Sequence, residues 1–277
     1  MKISKLITVL KKSLGEARWS RYDKFSDKVE VFKILFRLRF YTEISIRQEE
    51  IATQRIFDYT VTGPSYSEIL YLFREIFLDF QYQVSFKNES PTIIDGGANI
   101  GMAILFFKKF HPSCKIIAFE PNPRVFKFLR QNVTSNKLKD VEIINSGLGG
   151  QDGNIDFYVD NNNSLISSVD QNRGGKEVTK VKIIRLSTFL VNRTFDFAKI
   201  DIEGAEWGVV NDLNDTRTIQ NINQYIFEYH HNLKPPTYQL SDFLKIFEQN
   251  GFGYNLNASF RSQGEFQDIA INFFTAK

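Results

Sequence analysis

The chain has 277 residues with 35 Lys+Arg, 32 Asp+Glu, three His and a single Cys, a length that suits one or two domains with a core needing no metal or disulfide staple. One Cys excludes an intrachain disulfide framework, the Cys and His total excludes a zinc-ribbon lattice, and no apolar run approaches the roughly 18 residues of a membrane span. The net charge of +3 is uneven: residues 1–47 carry twelve Lys/Arg and five Asp/Glu, a net of +7, so the remainder sums to −4.

The N-terminal MKISKLITVLKKS has Lys5 inside its apolar stretch and no small-residue cleavage site after it, so it reads as mature protein rather than a signal peptide. Ile3, Leu6, Ile7, Leu10 and Leu14 recur at helical spacing with Lys between them. Val29 to Phe40 is a second apolar-basic segment of helical pattern. Gly63-Pro64 breaks the chain, and Ser65 or Ser67 caps a helix over Glu68–Phe80 with Ile69, Leu72, Phe73, Ile76 and Phe77 on one face. Residues 1–82 are therefore expected to form a basic, mostly helical extension or cap, with helix dominating to about residue 90.

From Thr92 the pattern becomes strand–helix alternation over residues 83–277. Strands are expected at Thr92–Ile94, Lys115–Phe119, Val141–Asn145, Phe197–Ile200 and Tyr225–Tyr229, with helices at Ile100–Phe110, Val125–Asn132, from Glu206 and at Leu240–Asn250. Ile155–Val159 and Lys180–Ile184 read as a hairpin around the polar loop Asp160–Glu177, and Tyr254–Leu256 with Ile269–Phe274 as a terminal antiparallel pair. This alternation predicts a doubly wound α/β sheet.

The turn Asp95-Gly96-Gly97-Ala98-Asn99-Ile100-Gly101 is the first chemically informative segment. Its glycines let backbone approach a ligand, and the helix behind presents free N–H groups. Glu120 ends the next strand, nineteen residues past Gly101, where an acid accepts hydrogen bonds from ribose hydroxyls. Each feature alone also fits a plain connection or a solvated acid; together they point to a nucleoside ligand. Ala98 stands where the dinucleotide fingerprint needs its second glycine. Asp95 at the loop mouth would repel a pyrophosphate and would pair with the ammonium group of S-adenosylmethionine.

With IIDGGANIG (93–101), IIAFEPNP (116–123), KIDIEGAE (199–206) and IFEYHH (226–231), the chain resembles the FkbM-type methyltransferases from about Tyr82 onward. The resemblance implies the class I, Rossmann-like methyltransferase fold, a seven-stranded sheet in order 3-2-1-4-5-7-6. It also implies methyl transfer from S-adenosylmethionine to a hydroxyl, often of a glycan or polyketide. By the same resemblance Asp95, Gly97, Asn99, Gly101 and Glu120 hold the cofactor, joined by Asn122 of the same strand end, and Ser146-Gly147-Leu148 lies near the adenine.

Asp201 and Glu203 follow a strand at the carboxyl edge of the sheet, where open α/β folds place their sites. They face the same way only if the chain turns, which Gly204 permits. A hydroxyl acceptor needs a base, and His230 is the expected one, against a structural histidine that holds Glu228. His111 reads as a surface helix cap, His231 as pointing away, and Glu206 as a helix-dipole residue. A divalent ion on Asp201, Glu228 and His230 is an unfavoured alternative; no metal is the expectation. The Asn/Asp-Pro-Pro-aromatic turn of base-methylating enzymes is absent after strand four, since Pro235-Pro236 lies elsewhere. The loop with Asn161 to Ser164, Ser167, Ser168 and Arg173 either covers the acceptor or is a disordered insertion. A small-molecule or glycan acceptor is therefore expected. The alternatives are an RNA or protein methyltransferase docking through the basic arm, and a catalytically silent cofactor-binding scaffold. For the arm itself, packing or homo-oligomerisation comes first, membrane-surface contact second and nucleic acid last. The expected location is cytoplasmic, at the inner membrane face if the arm docks there.

Overall fold

The computed structural model describes residues 2–45, 51–160, 167–171, 174–231, 240–258 and 267–275. Among them no helix is long and apolar enough to cross a membrane. The chain begins with helices α1 (Lys2–Trp19) and α2 (Phe25–Arg39), the latter ending in a π-helical turn, Phe40–Ile44. Strands β1 (Ala52–Ile56) and β2 (Tyr59–Gly63) then form an antiparallel hairpin. The mostly helical expectation for this region did not include the hairpin. Ala52, Gln54 and Ile56 are buried in alternation with exposed neighbours, and Phe57 takes φ 50° in the turn. A period of two over five residues is too short to declare itself in the sequence. Helix α3 (Tyr66–Leu72) follows, its first turn capped by the Ser65 hydroxyl, which accepts from the Glu68 N–H. It passes into a second π-helical turn, Phe73–Leu78, within the expected Glu68–Phe80 helix.

The main sheet is built from β3 (Thr92–Gly96), β4 (Lys115–Phe119), β5 (Val141–Ile144), β9 (Phe197–Ile200), β10 (Gln224–His231), β11 (Phe252–Ala258) and β12 (Gln267–Thr275). Across the sheet they run β5-β4-β3-β9-β10-β12-β11, which is 3-2-1-4-5-7-6 when these seven are numbered in chain order. All neighbours are parallel except β12, which is antiparallel to β10 and β11. Helices α4 (Met102–Phe110) and α5 (Pro123–Ser135) pack on one face, and α7 (Glu206–Asp215) and α8 (Leu240–Gln249) on the other. Strand alternation sorts the core: Ile93, Ile116 and Ala118 join the first face, while Ile94, Ile117 and Phe119 join the second. Between β5 and β9 the chain inserts a small sheet of β6 (Gly147–Gly149), β7 (Gly153–Val159) and β8 (Glu177–Arg185), then the short α6 (Ser187–Leu190). The expected β7–β8 hairpin is present; residues 161–166 and 172–173 of its loop, Arg173 included, lie outside the described residues.

The N-terminal region is not a loose appendage. Ile34, Leu35, Leu38, Phe73 and Phe77 share one apolar cluster with Ile104, Phe106 and Phe107 of α4. Asn132 of α5 fastens the hairpin polarly: its Oδ1 accepts from Thr62 N, and its Nδ2 donates to the carbonyls of Thr62 and Ile100, each at 2.8 Å. Ile100 belongs to the turn after β3, so one buried amide ties extension, helix and turn together. Asn132→Ala leaves these buried backbone groups unsatisfied and should cost about 2–4 kcal/mol, read as a lowered midpoint in equilibrium urea unfolding.

Candidate active site

The sheet order reverses between β3 and β9, so the loops leaving their carboxyl ends diverge and open a crevice. After β3 the chain turns through Gly97 at φ 74° and Asn99 at φ 51°, and Gly101 is the N-cap of α4. A Cβ on Gly97 would overlap the carbonyl oxygen of Asp201, so only glycine lets these two loops approach. Glu120 braces the turn from β4, accepting from Asn99 N at 2.9 Å and Asn122 N at 2.8 Å. Burial raises its pKa to about 7, against the lowering effect of those two N–H donors.

Gly97, Asn99, Glu120, Asn122, Asp201 and Glu203 line one cleft, with Gly147 and Leu148 on its wall. The oxygen of Asn122 is already engaged in capping α5, accepting from Arg124 N and Val125 N. Gly101 does not line the cleft; it packs against Leu129, and its φ of 91° is what calls for glycine.

Asp95 departs from its expected role. It is fully buried beneath the turn and does not reach the cleft. Its partner is Lys199 of β9, whose ammonium lies 3.4 Å from Asp95 and 3.5 Å from Asp201, and donates to the carbonyls of Gly96 and Gly97. Burial works against the charge of Lys199, yet Asp201, Asp95 and Glu228 outweigh it and raise its pKa. Lys199 escaped the sequence reading, although a lysine inside the buried strand Phe197-Ala198-Lys199-Ile200 was the available signal.

His230 is also placed differently. It is buried behind Asp201 and Glu203, with Nδ1 2.7 Å from Glu206 and Nε2 3.3 Å from Glu203 and 3.8 Å from Asp201. The chain does turn after Asp201: Glu203 at φ 54° and Gly204 at φ 106° swing both acids toward the same imidazole. Burial opposes the imidazolium, but Glu206, Glu203 and Asp201 prevail and raise its pKa to about 10. A histidine that keeps its proton at neutral pH does not act there as a general base. Glu206 is thus more than a helix-dipole residue: burial favours its neutral form, yet His230 and the Gly204 N–H hold its carboxyl below the ordinary value.

Glu228 belongs to another corner, where Gln81 Nε2 donates to it at 3.0 Å. The metal alternative therefore regroups: Asp201, Glu203 and His230, not Glu228, bring ligand atoms within 4.8 Å of one another. A cation there must displace the Nε2 proton of His230. Ser168, from the inserted sheet, anchors the acidic turn by donating to the Glu203 carbonyl at 2.7 Å. His111 ends α4 and stands edge-on to Phe86. The side chain of His231 and Pro235-Pro236 lie outside the described residues.

The extension contributes residues that motif reading missed. Tyr71 and Glu75, from α3 and its π-helical turn, line the cleft together with Tyr82. The Tyr71 hydroxyl donates to Glu75 at 3.2 Å, while burial and then the nearby charge of Asp201 push the Glu75 carboxyl up to about 7. At helical spacing Glu75 lies off the apolar face of Ile69, Leu72, Phe73, Ile76 and Phe77, so no local signal marked it.

A sequence model of the Methyltransferase FkbM domain matches residues 95–254. Methyltransferase 1 of Beauveria bassiana is 31% identical over 170 residues, 53% of this chain and 68% of that protein. The 31-O-demethyl-FK506 methyltransferase FkbM of Streptomyces tacrolimicus is 38% identical over 81 residues, 28% of this chain and 31% of that one. Among solved structures, a methyltransferase FkbM from Methylobacillus flagellatus aligns with TM-score 0.49 and 12% identity over 97% of this chain; the chain spans 58% of that protein's length.

The His230 pair has a stated pH dependence. A folded-state pKa of about 10 against an ordinary 6.5 gives stabilisation that is complete below 6.5 and lost as pH rises through 10. Thermal midpoints should fall progressively across that interval, and His230→Gln should flatten the fall.

Proposed function

Because the chain belongs to the FkbM methyltransferase family, we propose that it transfers the methyl group of S-adenosylmethionine to a hydroxyl of a saccharide or related natural product. The observation that carries this reading is the charge of the cleft. Among the described residues its lining holds Glu75, Glu120, Asp201, Glu203 and Glu228 against the single cation Lys199. Such a wall suits a ligand with sulfonium and ammonium groups and opposes the phosphates of a dinucleotide or RNA. The donor set also fits the molecule part by part. Glu120 offers carboxylate oxygens at the strand end where ribose hydroxyls bind. The left-handed turn at Gly97–Asn99 walls the end where the amino-acid part would lie, and Gly147–Leu148 supply a wall for the adenine. The relative named for 31-O-demethyl-FK506 is named for methylation at oxygen, which supports a hydroxyl acceptor.

When bound, the donor supplies an electrophilic methyl carbon that an acceptor oxygen attacks in line, with the thioether leaving. The chain's contribution is alignment, water exclusion and removal of the hydroxyl proton, the first of which alone is worth about 7 kcal/mol or more. Glu75 is the base in this reading, because it reaches the cleft from the extension and its carboxyl titrates near neutrality. It accepts the acceptor's proton and returns it to solvent. Lys199 and His230 hold the flanking acids in place and take no proton from the acceptor.

Titration calorimetry should show saturable binding of S-adenosylmethionine, weakened tenfold or more in Glu120→Ala through the lost charged hydrogen bonds. Absent binding, or an unchanged Glu120→Ala, sinks the donor assignment. Labelled-methyl transfer across a panel of oligosaccharides and hydroxylated polyketides identifies the acceptor. With a turned-over acceptor, the rate should rise with pH toward a plateau above about 7. Glu75→Gln should lose about 10²–10⁴ in kcat together with that pH limb.

A further inference from the structure

Helix α1 packs against the molecule through Val9, Ser13 and Ala17, all buried. Ile3, Leu6, Ile7, Leu10 and Leu14 are left outside, from 38% exposed at Leu6 to 76% at Ile3. Their spacing puts them on one stripe of the helix. At the corner between α1 and α2, Trp19 and Phe25 are 82% and 81% exposed. The stripe is thus not the core-facing side that its periodicity suggests; the small and short residues beside it take that role.

The exposed charges on α1 itself are of one sign, while Asp23 is exposed at the corner and Lys12 lies 4.0 Å from Glu43. Lys5, Lys11, Lys12 and Arg18 are exposed, and at about 100° per residue Lys11 and Arg18 border the stripe. Glu16, the single acid of α1, is turned inward, 2.6 Å from Arg39 and 3.4 Å from Arg74. The outward side of α1 therefore carries aliphatic and cationic groups with no acid among them. An aliphatic stripe bordered by cations, with an exposed tryptophan at its end, matches the pattern of helices that lie in a membrane interface.

We propose that α1 and the Trp19–Phe25 corner form a docking surface for an anionic lipid bilayer, with the stripe entering the interface and the lysines meeting lipid headgroups. A second copy of the chain is the poorer occupant. Pairing stripe to stripe would set two arms of net +7 against each other, whereas an anionic leaflet attracts both. The Glu16–Arg74 contact links α1 to the turn that carries Glu75, so the docked helix would adjoin one wall of the cleft. The inference does not depend on the donor or the acceptor.

Flotation of the full chain with vesicles tests it. Binding should be about tenfold stronger to mixed phosphatidylcholine–phosphatidylglycerol vesicles than to phosphatidylcholine alone, weaken with added salt, and shift tryptophan emission to the blue. Leu6→Glu combined with Leu10→Glu alters exposed positions only, so circular dichroism should be unchanged while vesicle binding falls tenfold or more. Lys11→Glu with Arg18→Glu should remove the preference for the anionic lipid. The proposal is overturned if the parent does not float with anionic vesicles, or if the leucine variant floats as well as the parent. It is equally overturned if the parent is a dimer that ignores vesicles and that the leucine variant dissociates.

Discussion

The constraint on which the site depends is the balance of buried charge beneath the carboxyl ends of β3, β9 and β10. Lys199 stands between Asp95 and Asp201, and His230 between Glu206 and the acids of the following turn. Each of these ions would cost several kcal/mol if buried alone, so each persists because its partners are in place. The consequence is mechanical as well as electrostatic. Lys199 also donates to the carbonyls of Gly96 and Gly97, so the same ammonium that neutralises two acids sets the backbone of the turn after β3. The turn, its Glu120 brace and the acidic loop after β9 are consequently one unit, assembled across three parallel strands.

This arrangement changes how the acids and bases divide their roles. Asp95 and His230 carry the most recognisable motif positions, yet both are buried and absent from the cleft wall. They act as support for Asp201 and Glu203, which do face the cleft. A histidine enclosed by three carboxylates is a cation, and a cation is no acceptor for a proton. Among the described residues only Lys199 offsets the carboxylates of the cleft wall, so the cleft is acidic.

The N-terminal extension is joined to the catalytic sheet by two different means. Apolar packing places Phe73 and Phe77 against α4, while Asn132 closes the hairpin β1–β2 onto α5 and the Ile100 carbonyl. Its π-helical turn widens the helix at Phe73–Leu78, a distortion that recurs at functional positions. The extension is thus a cap that completes the cleft on its inner side and presents a cationic, aliphatic helix on its outer side.

Strand and helix order from Thr92 onward, the glycine turn, Glu120 and the strand-end acids were all legible in the sequence, because each depends on local periodicity or on a motif within one loop. The uneven charge, +7 in residues 1–47, was legible for the same reason. Tertiary structure alone decided the rest. Lys199 meets Asp95 across adjacent strands, Glu206 meets His230 from a helix twenty-four residues away, and Glu75 reaches the cleft from a segment that precedes the sheet. Three carboxylates, acting against burial, decided that His230 is a cation, and burial decided that Glu75 titrates near neutrality. On α1, the same apolar spacing fits a core face or a surface stripe. Only the position of α2 and the rest of the molecule determined that Val9, Ser13 and Ala17 face inward and the five aliphatic residues do not.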